Sequence, residues 1–197
     1  MMKKSIMMCV IVIAVAGLAS AAPTTWITFD EFPVGTVIDT DYAPLGVVFT
    51  AATYNPPVIS MNGAMPDQPI LRPDGGPSTY QGDFWIQFTT PAVEVQFDSG
   101  WWDGLGTGVI DVYDPAMNPL ANLTNTTTGV NVTTISGMGP VGYIYFNSVA
   151  DGAGADIDNL GFSISNFDTI PIPAPGSILL GGIGVGLIGW LRRRRTL

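Results

Sequence analysis

The sequence predicts an all-β protein whose body is a β-sandwich of the jelly-roll type. Short apolar runs alternate with polar residues, as in VEVQF at positions 93–97, where Val93, Val95 and Phe97 would face a core while Glu94 and Gln96 face water. Gly, Pro, Asn and Asp separate these runs, as expected of turns. No stretch of the body repeats its apolar residues every 3.6 positions, so strands are favoured over helices. Eight or more short strands without helices indicate a sandwich.

The predicted strands follow one another through the body. The first covers residues 26–29 and is followed by a turn at 33–35, and a second turn is expected at 114–119. The remaining predicted strands are 46–49, 84–88, 93–97, 109–113, 130–133, 142–146 and 157–164.

Residues 1–21 are predicted to be a secretory signal peptide. Two lysines precede an apolar run over residues 6–18, and the small residues Ala19 and Ala21 fit a cleavage site before Ala22. The apolar run is shorter than the roughly 20 residues of an ordinary spanning helix, so cleavage is favoured over a retained anchor. Residues 22–170 would then form the β-sandwich domain, and residues 171–197 a separate C-terminal tail.

The tail combines a proline motif, an apolar stretch and a basic end. Pro173, Ala174 and Pro175 precede a glycine-rich apolar stretch at 178–191, which we expect to form a single hydrophobic helix. Four arginines follow it: Arg192, Arg193, Arg194 and Arg195. The positive-inside rule keeps these arginines in the cytoplasm as a stop signal and places the body beyond the membrane, in agreement with the signal peptide.

This tail resembles the PEP-CTERM sorting signal of Gram-negative bacteria. The resemblance covers about the last 26 residues and implies cleavage by an exosortase-type membrane protease, whereas the N-terminal signal peptide implies export by the Sec machinery. The protein would be exported, held briefly in the inner membrane, and then found in the envelope, at the outer surface or in the extracellular matrix. Where the family has Pro-Glu-Pro, this chain has Pro173-Ala174-Pro175, which leaves the processing enzyme open. The alternative is a permanent single-span anchor.

The body also carries a resemblance, in ITFDEFPVGTVIDTDYAPLGVVFT near its start and ADIDNLGFSI near its end. Both stretches are similar to those of exported proteins with PEP-CTERM tails, which look like galactose-binding-type jelly rolls. The resemblance implies the fold and constrains function little, because one sandwich hosts many activities.

Charge and composition exclude several function classes. All sixteen acidic residues lie between the two terminal segments, where Arg72 is the only basic residue, so the processed body carries a net charge of −15. Nucleic acid is therefore not an expected partner. The chain has no histidine, and its cysteine and lysines lie in the signal segment. Triad, cysteine and lysine mechanisms are thus excluded.

Only a pair of carboxylates is left for catalysis, as in glycoside hydrolysis. Asp98, Asp103 and Asp111 are the candidates. Because nothing in the sequence brings two of them together, we expect a protein that is not an enzyme.

Four acidic residues near the two ends of the body are candidates for a structural calcium site. Asp30 and Glu31 follow the first strand, and Asp156 and Asp158 flank the start of the last. Carboxylate oxygens are the ligands that calcium prefers, and first and last strands often lie close together in jelly rolls of the kind that this chain resembles. The alternative is that these acids make turn hydrogen bonds or face solvent.

The aromatic group at 101–103 is a candidate glycan site. An indole face can stack on a sugar ring, and Asp103 could accept hydroxyl hydrogen bonds; Trp85 and Tyr80 are further candidates. Because consecutive strand residues face opposite sides, at least one of Trp101 and Trp102 should point into the core. The sequence thus predicts a non-enzymatic surface or matrix protein with a structural or adhesive role in exopolysaccharide. The alternatives are a carbohydrate-binding module with a defined glycan and a glycosidase.

Overall fold

The computed structural model describes residues 22–63 and 65–164. The predicted signal peptide, sorting motif, hydrophobic helix and arginine stop therefore lie outside the described residues, and of the predicted cleavage site only Ala22 lies within them. Within the described part, no helix has the length and apolar character to cross a membrane.

The described chain is all-β, which confirms the predicted class. The strands are β1 (Thr25–Ile27), β2 (Val47–Ala51), β3 (Asn55–Ser60), β4 (Ile70–Asp74), β5 (Asp83–Trp102), β6 (Val109–Tyr113), β7 (Pro119–Thr124), β8 (Gly129–Asn147) and β9 (Asp156–Ile164). The one helical element in these residues is a 3-10 turn at Ala43–Leu45. Strands β3, β4 and β7 were not predicted, and the predicted pairs 84–88 with 93–97 and 130–133 with 142–146 are single long strands.

All pairings between strands are antiparallel, in the order β3-β4-β9-β5-β8-β6-β7, with β1 on β9 and β2 on β5. The long strands β5 and β8 pair along almost their whole length, but their register shifts between Gln87 and Ala92 and again between Ala92 and Glu94. Such irregularities bend a strand. The first half of β5 therefore pairs with β2 and the end of β8, and its second half with β9 and the start of β8.

Both halves of the bent sheet face one hydrophobic core. Phe84 and Ile86 come from the first half of β5 and Val95 and Phe97 from its second half, and all four are fully buried in the same cluster. Val93 was predicted to join them, but it is 44% exposed because the register shift beside it removes it from the inward alternation. Its neighbour Glu94, predicted to face water, is only 8% exposed.

The two halves also have outer faces, which lie opposite the core side of each strand. One is formed by the first half of β5, the second half of β8 and β6. The other is formed by β9, the second half of β5 and the first half of β8. These two outer faces carry the polar and aromatic side chains from which a site can be built.

Candidate functional site

Aromatic side chains collect on the outer face of β5, β8 and β6. In β5, Phe84 and Ile86 point into the core, so Trp85 and Gln87 point outward. Register places Trp85 beside Tyr145 and then Asp111, and places Gln87 beside Tyr143 and then Tyr113. We call this surface the aromatic face; its members are Trp85, Gln87, Asp111, Tyr113, Tyr143 and Tyr145.

The rings of the aromatic face lie in contact but not in one plane. The centroids of Trp85 and Tyr145 are 4.9 Å apart with an interplanar angle of 40°, and those of Trp85 and Tyr113 are 5.6 Å apart at 52°. All three rings are half-buried. The result is a tilted aromatic platform that still presents ring surface to solvent.

Fixed polar groups border the platform. The Tyr145 hydroxyl donates to Asp83 Oδ2 at 2.7 Å and accepts from Asn147 Nδ2 at 3.0 Å. Burial, followed by the hydrogen bond and charge of Asp83, raises the pKa of Tyr145 to about 12. Tyr145 is therefore a neutral phenol with a set orientation. Across the sheet, Asp111 Oδ1 accepts from Asn122 Nδ2 at 2.6 Å.

Asp83 fixes the position of Tyr145 through its own hydrogen bonds to neighbouring segments. Burial alone would raise its pKa, but hydrogen bonds from Thr53, Tyr145 and the Tyr54 backbone hold the pKa of Asp83 below its ordinary value. Asp83 is thus an ionised carboxylate, only 2% exposed, that ties the chain after β2 to β5 and β8.

The predicted tryptophan pair divides as strand alternation requires. Trp102 is fully buried and its Nε1 donates to Ser99 Oγ at 3.2 Å, so the prediction that it contributes to glycan stacking is wrong. Trp101 is 47% exposed at the end of β5, with its ring against Gly129. Asp103 is exposed beside it, and its backbone N–H donates to Asp151 Oδ2 at 2.8 Å.

Another exposed indole lies on the second outer face. Trp26 of β1 is 44% exposed, and a Cβ placed on Gly161 would meet its ring at 2.7 Å. The indole therefore lies against the backbone of β9, where only glycine leaves room for it. Register aligns Gly161 with Gln96 and Thr134 across the sheet. Sequence reasoning missed Trp26 as a surface group, although the glycine in DNLGF could have suggested a close approach.

The structure divides the four acids of the predicted calcium site. Glu31 Oε2 accepts from the Tyr42 hydroxyl at 2.8 Å. Asp156 Oδ2 accepts from Asn62 Nδ2, and burial raises the pKa of Asp156 to about 7 against the opposing effects of Asn62 and Arg72. Asp158 is different: its pKa is raised to about 7 by burial and also by the charges of Asp67, Asp98 and Asp30.

Two buried carboxylate oxygens have no hydrogen-bond partner among the described residues, namely Asp156 Oδ1 and Asp158 Oδ2. In residues 22–63 and 65–164, no three His, Cys, Asp or Glu side chains already form a group that could hold a metal ion.

The carboxylates proposed for catalysis do not share one surface. Asp98 lies on the half of β5 that pairs with β9, Asp103 follows β5, and Asp111 lies on β6 within the aromatic face. Of these three candidates, only Asp111 therefore belongs to the aromatic face.

Tyr80, a further glycan candidate, already has partners within the protein. Its hydroxyl donates to the Met61 carbonyl at 3.1 Å, and the Arg72 guanidinium lies 5.9 Å from its ring centroid.

Comparison with known proteins gives structural likeness only. No protein-family model matches the chain, and no curated protein matches it. Among solved structures, the chain is similar to a family 29 carbohydrate-binding module at 16% identity, covering 66% of this chain and 98% of that one, with a TM-score of 0.32. A mutant family 29 module complexed with mannohexaose has 12% identity, covers 76% of this chain and 97% of its own, and also has a TM-score of 0.32. These TM-scores are low, so the likeness carries no conclusion about function.

Proposed function

We propose that the protein is an exported, non-enzymatic carbohydrate-binding protein that holds a polysaccharide chain on its aromatic face. The observation that carries this proposal is the set of contacting rings, Trp85, Tyr113 and Tyr145, on one outer sheet surface. Aromatic rings stack on the apolar faces of sugar rings, and rigid aromatic side chains lose little conformational entropy on binding.

Polar groups at the platform support a sugar ligand over an apolar one. Asp111, Gln87 and the Tyr145 hydroxyl lie among the rings, and Asp83 and Asn122 hold two of these groups in place. Preformed hydrogen-bonding groups beside aromatic surface are what a ligand with both hydroxyls and apolar ring faces needs. The tilt between the rings favours a single twisted chain over a flat crystalline surface.

The charge of the protein limits the class of polysaccharide. The processed body would carry a net charge of −15, and ionised Asp83 is hydrogen-bonded to Tyr145 of the platform. Like charges across an interface cost free energy. The ligand is therefore a neutral polysaccharide, and polyuronates are disfavoured.

The location follows from the terminal segments, and we propose it as part of the same function. The signal peptide exports the body, the PEP-CTERM-like tail holds it for an exosortase-type protease, and the cut body joins the cell surface or the matrix. Binding of exopolysaccharide there would serve the structural or adhesive role. The jelly-roll type belongs to this proposal as well, supported by the placement of the last strand, β9, between β4 and β5.

Affinity electrophoresis of the purified chain tests the binding claim. Gels containing a neutral β-linked glucan, a neutral β-linked mannan or an acidic polyuronate are compared with an empty gel. We expect at least one neutral polysaccharide, and not the polyuronate, to retard the chain. Tyr145→Phe is the matched variant, because it keeps the ring and removes only the hydroxyl, and Tyr145→Ala removes both. Retardation should weaken moderately in the first and disappear in the second. If neither neutral polysaccharide retards the chain, the proposal is refuted.

A further inference from the structure

A second group of side chains lies on the other outer face, away from the aromatic face. Asp158 of β9 stands directly opposite Asp98 of β5. The Asn159 side chain joins them to the loop before β4, since its Nδ2 donates to Asp98 Oδ2 at 2.9 Å and to Asp67 Oδ2 at 3.3 Å. Asp30, which follows β1, is close enough for its charge to act on Asp158. Asp98 and Asp67 thus contact the Asn159 amide directly, and Asp158 and Asp30 bring two further carboxylates from other segments nearby.

A bulge in β9 explains how Asn159 reaches this place. Between the pairs Gln96 with Gly161 and Asp98 with Asp158, β9 contains one residue more than β5. Asn159 has a positive φ of 49°, a conformation that asparagine tolerates better than most residues. The extra residue is thereby placed beside the carboxylates rather than in the core, where Leu160 takes the inward position.

One of these carboxylates has a buried oxygen without a hydrogen-bond donor. Asp158 is 1% exposed; its Oδ1 accepts from the Asn159 backbone N–H at 2.7 Å, whereas its Oδ2 has no partner among the described residues. A buried carboxylate oxygen without a donor is costly, and it points to a missing positive charge. Arg72, the only basic residue between positions 22 and 164, cannot supply it, because its guanidinium pairs with Asp74 at 3.2 Å.

We propose that Asp158, Asp98 and Asp67, with the side-chain oxygen of Asn159, bind a calcium ion, and that Asp30 contributes charge or a further ligand. The donor set consists of oxygens alone, which suits a hard cation of flexible coordination such as calcium and not zinc. In the described residues Asp98 and Asp67 both accept from the Asn159 NH₂ group and no three carboxylates form a metal-holding group, so binding of the ion requires these side chains to close around it. Turning this amide about its last bond exchanges Nδ2 for Oδ1, so that an acceptor then faces Asp98 and Asp67 and a cation can take the place of the amide hydrogens.

The ion would connect parts of the chain that are distant in sequence. Asp67 belongs to the loop that precedes β4, Asp30 follows the first strand, and Asp98 and Asp158 lie in central strands. A body without cysteine cannot make such links by disulfides, and calcium would supply them. This site differs from the one expected from sequence, because Asp67, Asp98 and Asn159 replace Glu31 and Asp156.

Thermal unfolding of the purified chain with and without calcium tests the proposal. Protein treated with a calcium chelator is compared with the same protein in excess CaCl₂ at constant ionic strength and pH, and titration calorimetry gives the stoichiometry. We expect one ion per chain and a rise in Tm of about 5–10 °C when calcium is in about hundredfold excess over its Kd.

Three variants make the test specific. In chelator, Asp158→Asn should be at least as stable as the unsubstituted chain, because a neutral amide replaces an unpaired buried charge; in calcium it should gain no Tm. Asp67→Asn changes an exposed side chain, so it should fold normally and bind calcium at least about tenfold more weakly. Asp111→Asn, on the aromatic face, should keep the full calcium response. The absence of a calcium response in the unsubstituted chain would overturn the proposal, as would an undiminished response in Asp158→Asn and Asp67→Asn.

Discussion

Removal of the Asp83 carboxylate should destabilise the fold more than a single polar substitution usually does. Asp83 accepts hydrogen bonds from the Thr53 N–H at 2.9 Å, the Thr53 hydroxyl at 2.6 Å, the Tyr54 N–H at 3.3 Å and the Tyr145 hydroxyl at 2.7 Å. Hydrogen bonds to a charged group contribute about 1.5–3 kcal/mol each, but the donors of exposed Thr53 regain water after the substitution. We therefore expect Asp83→Ala to cost about 3 kcal/mol, or a Tm decrease of about 6–12 °C.

Calorimetry or fluorescence-monitored unfolding of Asp83→Ala and Asp103→Ala measures this difference. Asp103 is an exposed aspartate, so its substitution should change Tm by less than about 2 °C. The pH dependence gives a second criterion. Because folding lowers the pKa of Asp83 from 3.8, its stabilising contribution is complete above that value and is lost as pH falls through the folded-state pKa. The two unfolding curves should therefore approach each other in strong acid. A Tm decrease at pH 7 no larger than that of Asp103→Ala would refute the assigned role.

Two glycine substitutions test the indole environments. Gly108→Ala places a Cβ 2.4 Å from the buried Trp102 ring and should lower the free energy of unfolding in denaturant by about 1–3 kcal/mol. Gly63→Ala is the control: its Cβ would meet nothing within 4 Å, so the loss should be less than about 1 kcal/mol. Equal losses in the two variants would contradict the packing of Trp102. Gly161→Ala should displace the exposed Trp26 ring, shifting its fluorescence emission to longer wavelength at a cost below about 1.5 kcal/mol, and an unchanged spectrum would contradict the stacking on β9.

Local patterns in the sequence predict that the protein is built of strands, but they do not predict which distant strands pair. The alternation in residues 93–97 correctly places Val95 and Phe97 in the core, and it fails at Val93 because a shift in strand register interrupts it. The bend that joins two predicted strands into β5 depends on pairing with β8, which begins about thirty residues later. The strand propensity of a few neighbouring residues does not indicate which distant strand they pair with.

The same limit applies to both candidate sites. Tyr143 and Tyr145 alternate visibly in GYIYF, yet their contact with Trp85 depends on a pairing between residues about sixty positions apart. Asp158 was predicted as a cation ligand from its place beside the last strand. Its neighbours Asp98 and Asp67 come from distant segments, and the bulge at Asn159 that unites them appears only once β9 pairs with β5.

Three tryptophans with rings at the surface allow a direct test of whether the polysaccharide lies on the aromatic face. Trp85→Ala, Trp26→Ala and Trp101→Ala each remove one indole, and only Trp85 belongs to the aromatic face. Isothermal titration with an oligosaccharide of the retarding polysaccharide should show affinity at least about tenfold weaker for Trp85→Ala. The other two variants should bind like the unsubstituted chain. If a folded Trp85→Ala variant binds with full affinity while Trp26→Ala or Trp101→Ala loses affinity, the binding site lies on another surface and the proposed function of the aromatic face is wrong.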